Sequence, residues 1–246
     1  VDLDLYFKVT PVMAFLSGAP VRAGFDTEGR NRGRLYTHGV PRNRNRHEVL
    51  CFAQIVESLG VEVVDTTLML YEDPLAAKRV MTRLRAGGIP ENSRYAVLAP
   101  GSSKNWPVKR WPVERFARLG RYLSQSYGLA VLAVGADFGA GRGRCSIGGI
   151  SGPAANLAGL TTIRETIELL REAEIVISND SGPMHLAAAV GAPVIGIFGP
   201  TDPAKWGPWS ETGMVVTANN RCRRAPCFYL SQMPHCEAED CLGRIS

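Results

Sequence analysis

The sequence predicts a doubly wound parallel α/β sheet over its larger part. Two observations carry the prediction: a regular alternation of short apolar runs with helix-patterned segments from Tyr95 onward, and a compact β-turn-α-β unit between Ile175 and Phe198. In that unit Ile175 to Ile177 form a β-branched run, and Ser178 to Gly182 supply turn and helix-cap chemistry. Met184 to Val190 then read as a tightly packed helix closed by Gly191 and Pro193, and Val194 to Phe198 as a second strand.

The other elements follow in order. Leu3 to Phe7 and Val21 to Phe25 read as short strands, followed by a basic loop from Asp26 to Arg46. A helix from His47 to Leu59 has Val49, Leu50, Phe52, Ala53, Val56 and Leu59 on its apolar stripe. Val61 to Val64 is strand-like, Pro74 to Arg85 helical, and Pro90 with the polar ENSR segment marks a domain boundary, giving units 1–90 and 91–246. Beyond it come a strand at Tyr95 to Ala99, a loop to Trp111, and a helix from Pro112 to Gln125. A strand at Leu129 to Val134, a glycine-rich loop and a short strand at Asn156 to Ala158 precede a helix from Thr162 to Glu172, opened by the capping box Thr162-x-x-Glu165.

The chain has 246 residues, 45% of them apolar, and a net charge of +5, enough for a substantial core and a bias toward anionic ligands or an acidic membrane surface. No apolar run approaches the ~20 residues of a membrane span. The start, VDLDLYFKV, has no signal-peptide features, which places the chain in the cytoplasm. Basic residues are dispersed and no nucleic-acid recognition motif is present, so no nucleic-acid partner is expected. Cys222, Cys227, Cys236 and Cys241 crowd the last 25 residues in the spacing C-x4-C-x8-C-x4-C around His235. A structural zinc clip and a set of buried or paired thiols both fit that spacing.

Three turns should meet at the carboxyl edge of the sheet. Pro100-Gly101-Ser102-Ser103, continuing to Lys109, offers close backbone approach, hydroxyl donors and a cation to a phosphate, although such residues also form ordinary solvated turns. Gly135-Ala136-Asp137 places a carboxylate at a strand end, as a ribose acceptor or a helix N-cap. Thr161 borders a nucleobase or prepares the capping box. In Asn179-Asp180-Ser181-Gly182-Pro183-Met184-His185, Asp180 can bind sugar hydroxyls or cap the helix, and Ser181 and Gly182 offer N–H groups to a diphosphate. His185 reads as a ligand or a packed histidine, Met184 as packing, and Gly199-Pro200-Thr201 as closing the site from the next strand.

The stretches SNDSGPMHLAAAVGAPVIGIFGPTDP, LAPGSSKNWPVKRWP and LAGLTTIRETIELLREAEIVIS resemble glycosyltransferase family nine, the ADP-heptose:lipopolysaccharide heptosyltransferases, over at least Tyr95 to Trp209. Weaker similarity runs through APVRAGFD and HEVLCFAQIVESLG. The resemblance implies a GT-B architecture, with a partial acceptor-side domain followed by a nucleotide-sugar-binding domain. It also implies an inverting transfer without metal or other cofactor. By position, Ser102, Ser103 and Lys109 would meet the donor phosphates, Asp180 the heptose hydroxyls, and Ser181, Gly182 and His185 the rest of the pocket, with Asp137 near the ribose. Lys109 and Asp180 are the residues expected to carry catalysis. The family's base, an Asp in a Gly-Asp motif after the first strand, has no match, so the chain is read as starting partway through that domain. The expected partners are ADP-heptose and a lipopolysaccharide-core acceptor, with peripheral contact at the inner membrane. The alternatives are a UDP-sugar-using GT-B enzyme and a nucleotide-sugar-binding fragment without transferase activity.

Overall fold

The structure, a computed structural model, describes all residues except 4–8, 28, 30, 104, 137–149, 218–221, 223–224, 229–240 and 246. The described elements run α1 (Val9–Leu16), β1 (Ala23–Asp26), β2 (His38–Pro41), α2 (Glu48–Glu57), α3 (Pro74–Ala86), β3 (Tyr95–Ala99), α4 (Val113–Tyr127), β4 (Ala130–Ala133) and β5 (Ala154–Asn156). They continue with α5 (Ile163–Arg171), β6 (Ile175–Asn179), α6 (Gly182–Ala189), β7 (Val194–Phe198), α7 (Pro203–Trp206) and β8 (Gly213–Thr217).

The chain divides into two compact units at Thr66/Thr67, with Ala204–Trp206 belonging to the first. This boundary differs from the one expected near Pro90. Helix α3 lies in the second unit because it packs on α5, where Arg79 and Arg83 reach the Glu165 carboxylate at 3.2 and 3.4 Å.

In the first unit β1 and β2 pair in parallel, with Phe25 opposite Val40. Cys51 and Ile55 of α2 join Ala23, Phe25 and Val40 in a small core flanked by Phe52 and Trp206. The helix starts one residue after His47, whose Nδ1 accepts from the Val49 N–H. Beside this core sits a buried charge cluster. Arg42 makes a two-pronged contact with the Glu48 carboxylate, and Lys205 Nζ lies 3.1 Å from Glu48 while donating to the carbonyls of Asn43 and Arg46. Val61–Val64 forms no strand, and among the described residues no strand pairs with it. The expected strand at Leu3–Phe7 falls largely outside the described residues; Asp2 makes an isolated parallel bridge to Gly24.

The second unit confirms the doubly wound sheet. Six parallel strands lie in the order β5-β4-β3-β6-β7-β8, the arrangement in which the chain winds outward one way from β3 and then the other way from β6. Alternate residues serve opposite faces. Ala96, Leu98, Val131, Ala133, Ile177 and Ile197 share one core cluster with Phe116 and Leu123 of α4, while Val97, Leu132 and Val176 are equally buried on the other side. Helix α4 runs to Tyr127 and stops at Gly128, whose φ of +66° is the left-handed conformation of a helix end. Pro112 stands at its N-cap rather than in its first turn. Between β7 and α6 the contact is close: a Cβ built at Gly196 would come 2.6 Å from Met184 Sδ. Among the described residues no helix is long and apolar enough to cross a membrane.

Helix α5 carries the expected capping box: Thr162 Oγ1 accepts from Glu165 N–H at 3.2 Å, and the Glu165 carboxylate accepts from Thr162 N–H at 2.8 Å. The Thr162 N–H, aided by Arg83, holds the buried Glu165 carboxyl below its ordinary value. A depressed carboxylate stabilises the fold above its unfolded pKa of about 4.3 and loses that contribution as pH falls through the folded value. Glu165→Gln is therefore expected to be less stable than the parent at pH 7, with the gap closing below about pH 4; urea unfolding across pH 2.5–7 measures it, and a gap that stays constant would refute the linkage.

Candidate functional site

The carboxyl ends of β3 and β6 lie side by side, with Ala99 opposite Ser178, and their following loops leave in opposite directions. A crevice opens where such loops diverge. Here it is a cavity of about 160 Å³ lined by the ends of β3 and β4 and by Gly101, Ser102, Ser103, Gly135, Ser181 and Gly182. Ligand pockets for drug-sized molecules run to roughly 300–1,000 Å³, so this cavity has room for one portion of a larger ligand. Gly182 opens α6 at its rim, and nothing lies within 4 Å of a Cβ built there. Ser181, the N-cap residue, makes no side-chain cap bond, so the positive end of the helix meets the cavity without a side-chain acceptor from its cap. Its hydroxyl lies instead 3.2 Å from that of buried Ser178.

Next to this cavity Lys109 and Asp180 form an ion pair, Nζ to Oδ2 at 2.7 Å, with the side chains 17% and 7% exposed. The pair joins the far end of the β3 loop to the residue after β6. Asp180 adjoins the cavity through Ser181, and neither charged residue lines it. The helix-capping alternative for Asp180 is not what the structure has: the cap position is Ser181, and the Asp180 carboxylate holds Lys109. Lys109 itself is not the isolated point charge that the loop composition suggested, because a carboxylate already balances it.

The remaining expected residues divide. Ser103 lines the cavity and is exposed. Ser102 also lines it, yet its hydroxyl donates to the Trp106 carbonyl at 2.9 Å and accepts from Arg110 Nε at 3.1 Å, so it braces the loop. His185 is half-buried on α6, one turn beyond Ser181. Thr161 stays outside the cavity lining, with Oγ1 2.9 Å from that of Thr166. Asp137 lies outside the described residues, although Gly135 and Ala136 before it line the cavity. Met184 is fully buried, as packing required, and Trp111 packs edge-on against Phe116 at 5.0 Å. Thr201, after β7, is buried with its hydroxyl unpartnered.

Sequence reasoning missed Asn179. It is fully buried at the end of β6, accepts from the Trp111 N–H at 3.0 Å and donates to the Pro100 carbonyl at 2.6 Å. Its signal was present as the Asn before Asp180, but it read as turn chemistry. Cys222, Cys227 and Cys241 are unbridged. Burial, then the nearby Cys227, pushes the Cys241 thiol above its ordinary pKa. Cys236 and His235 lie outside the described residues, and among the described residues no group of three or more His, Cys, Asp or Glu could hold a metal.

The sequence profile of glycosyltransferase family 9 (heptosyltransferase) matches residues 3–233. The chain belongs to that family. It is 33% identical over 189 residues to lipopolysaccharide heptosyltransferase 3 of Escherichia coli K12, covering 75% of this chain and 53% of that protein. The chain thus spans about half the length of the curated relatives it matches. Among solved structures it resembles a family 9 glycosyltransferase from Veillonella parvula, with a TM-score of 0.72, 22% identity and coverage of 86% of this chain and 60% of that one. It also resembles the E. coli ADP-heptose lipopolysaccharide heptosyltransferase II, with a TM-score of 0.64, 20% identity and coverage of 85% and 65%. These likenesses agree with the α/β fold class expected of a GT-B protein.

The short, partly buried Lys109–Asp180 pair should be worth more than an exposed one, for which coupling is typically about 0.2–1 kcal/mol. A double-mutant cycle with Lys109→Met and Asp180→Asn, read by urea unfolding, is expected to return coupling above about 1 kcal/mol; coupling near zero would mean the pair adds nothing to the fold.

Proposed function

We propose that this chain is the donor-binding part of a glycosyltransferase that moves a heptose from ADP-heptose to a hydroxyl of the lipopolysaccharide core. The observation that carries the reading is the uncapped start of α6 facing a cavity at the β3–β6 crevice, with Lys109 and Asp180 paired alongside. Support for the chemistry comes from the family and from its relatives, which are lipopolysaccharide heptosyltransferases, one of them an ADP-heptose heptosyltransferase.

On this reading the diphosphate lies across the start of α6 and the Gly101–Ser103 turn, where the N–H groups of Ser181 and Gly182 and the helix dipole receive its charge, Pro183 having no N–H and the Met184 N–H donating to the Ser181 carbonyl. Lys109 turns part of its charge from Asp180 to the phosphate next to the sugar. As the glycosidic bond breaks through an oxocarbenium-like state, negative charge grows on the departing diphosphate, and Lys109 and the amides stabilise it. Asp180 accepts hydrogen bonds from the sugar hydroxyls and so orients the anomeric carbon. The acceptor hydroxyl attacks from the opposite face, which inverts the centre; its base belongs to a Gly-Asp motif of the acceptor-side domain. The reaction would take place in the cytoplasm, at the inner membrane surface, to which the positive net charge is suited.

Calorimetric titration of this chain tests the donor assignment. ADP should bind more tightly than UDP, and Lys109→Ala should weaken ADP by about 10–100-fold, the range for losing a hydrogen bond to a charged group. Preference for UDP would replace the assignment with a UDP-sugar enzyme, and an unchanged affinity in Lys109→Ala would remove the leaving-group role. Gly182→Val tests the cavity itself. A Cβ there meets nothing within 4 Å beyond its chain neighbours, but Pro183 disfavours a helical β-branched residue before it, so thermal stability should fall somewhat while the folded variant loses ADP affinity by at least about tenfold; undiminished binding would place the diphosphate elsewhere.

A further inference from the structure

We infer that Asn179 is a positioning residue for donor binding: one buried carboxamide ties both ends of the Pro100–Trp111 loop and thereby sets Lys109 in place. The inference rests on the donor-binding reading above and adds to it a residue that touches no ligand.

The geometry is specific. Asn179 Nδ2 donates to the Pro100 carbonyl at 2.6 Å, where the chain leaves β3, with a longer contact of 3.4 Å to the Gly101 carbonyl. Oδ1 accepts from the Trp111 N–H at 3.0 Å, where the chain re-enters ordered packing before α4. The amide cannot be reversed, because Trp111 offers a donor and Pro100 an acceptor. Lys109 lies two residues before Trp111, and its partner Asp180 follows Asn179 in the chain. A single strand end therefore presents two adjacent side chains to the same loop: Asn179 fixes its backbone, and Asp180 receives its cation.

The rest of the loop is braced without Asn179. Arg110 holds the Ser102 hydroxyl and the Ser103 carbonyl, Ser102 holds the Trp106 carbonyl, and Trp106 N–H returns to Ser103 O. Those bonds give the loop a shape, yet all of them join residues of the loop to one another. Among the described bonds, those of Asn179 anchor both loop ends to β6. Loss of the carboxamide should leave the loop folded on itself but displaced at Lys109, and a displacement near 1 Å is enough to cost a charged contact much of its value.

The test is ADP and adenosine titration of Asn179→Ala and Asn179→Ser, each made in the parent and in Lys109→Met. Asn179→Ser keeps a small hydrogen-bonding group in the buried slot and serves if the alanine variant does not fold; urea unfolding monitors both. In the parent, ADP affinity should fall about tenfold while adenosine affinity holds within about twofold. In Lys109→Met the same replacements should change ADP affinity by less than about twofold, because there is no ammonium left to misplace. The inference is overturned if ADP and adenosine weaken together, or if the Asn179 effect keeps its full size in Lys109→Met. Should Lys109→Met itself leave ADP binding unchanged, the Lys109–phosphate contact of the donor-binding reading is what fails, and that outcome is separate from either of the other two.

Discussion

Everything at the candidate site depends on β3 and β6 being hydrogen-bonded neighbours although about eighty residues separate them in the chain. Pairing Ala99 with Ser178 puts the loop after one strand against the first residues beyond the other. From that adjacency follow the cavity, the exposed start of α6 and the meeting of Lys109 with Asp180 across 71 positions of sequence. A parallel sheet obtains such adjacency by winding outward in two directions from its centre, which leaves room between the departing loops. Side chains then add selectivity to a gap that the backbone has already made.

Buried charge is handled differently at two sites, one in each unit. In the first, Lys205 and Arg42 share one carboxylate, Glu48, and the surplus positive charge is spread onto the carbonyls of Asn43 and Arg46. That arrangement draws its partners from the protein and serves the fold. In the second, Lys109 is matched to a single carboxylate beside open space. On the donor-binding reading proposed above, an incoming diphosphate would share Lys109 with Asp180.

The sheet was legible where strands are buried on both faces, because Tyr95–Ala99, Ile175–Asn179 and Val194–Phe198 stand as apolar runs between turn residues. Edge elements were not. Strand β8 holds the short apolar run Met214–Val216 yet is largely exposed, so its sequence does not mark it as a buried strand, and β2 reads HGVP, which resembles a turn. Val61–Val64 shows the converse: β-branched residues favour a strand only when another strand is there to pair with them. The site residues could be named because small and polar side chains gather at strand ends. Their partners could not, since the choice between capping a helix and holding Lys109 is made by tertiary contact, and the value of Asn179 lies in two backbone groups 68 and 79 positions away.

Gly196 ties the sheet interior to the cavity rim. With no side chain there, the sulfur of Met184 settles almost onto the β7 backbone, which brings α6 down to the strand at its first turn. A methyl group at this point would act as a wedge under one end of a two-turn lever. The far end is held by the tight Gly191–Pro193 corner, so the tilt would appear at Ser181 and Gly182. The direction in which the start of α6 points is in this sense decided by an atom that is missing on the opposite side of the helix.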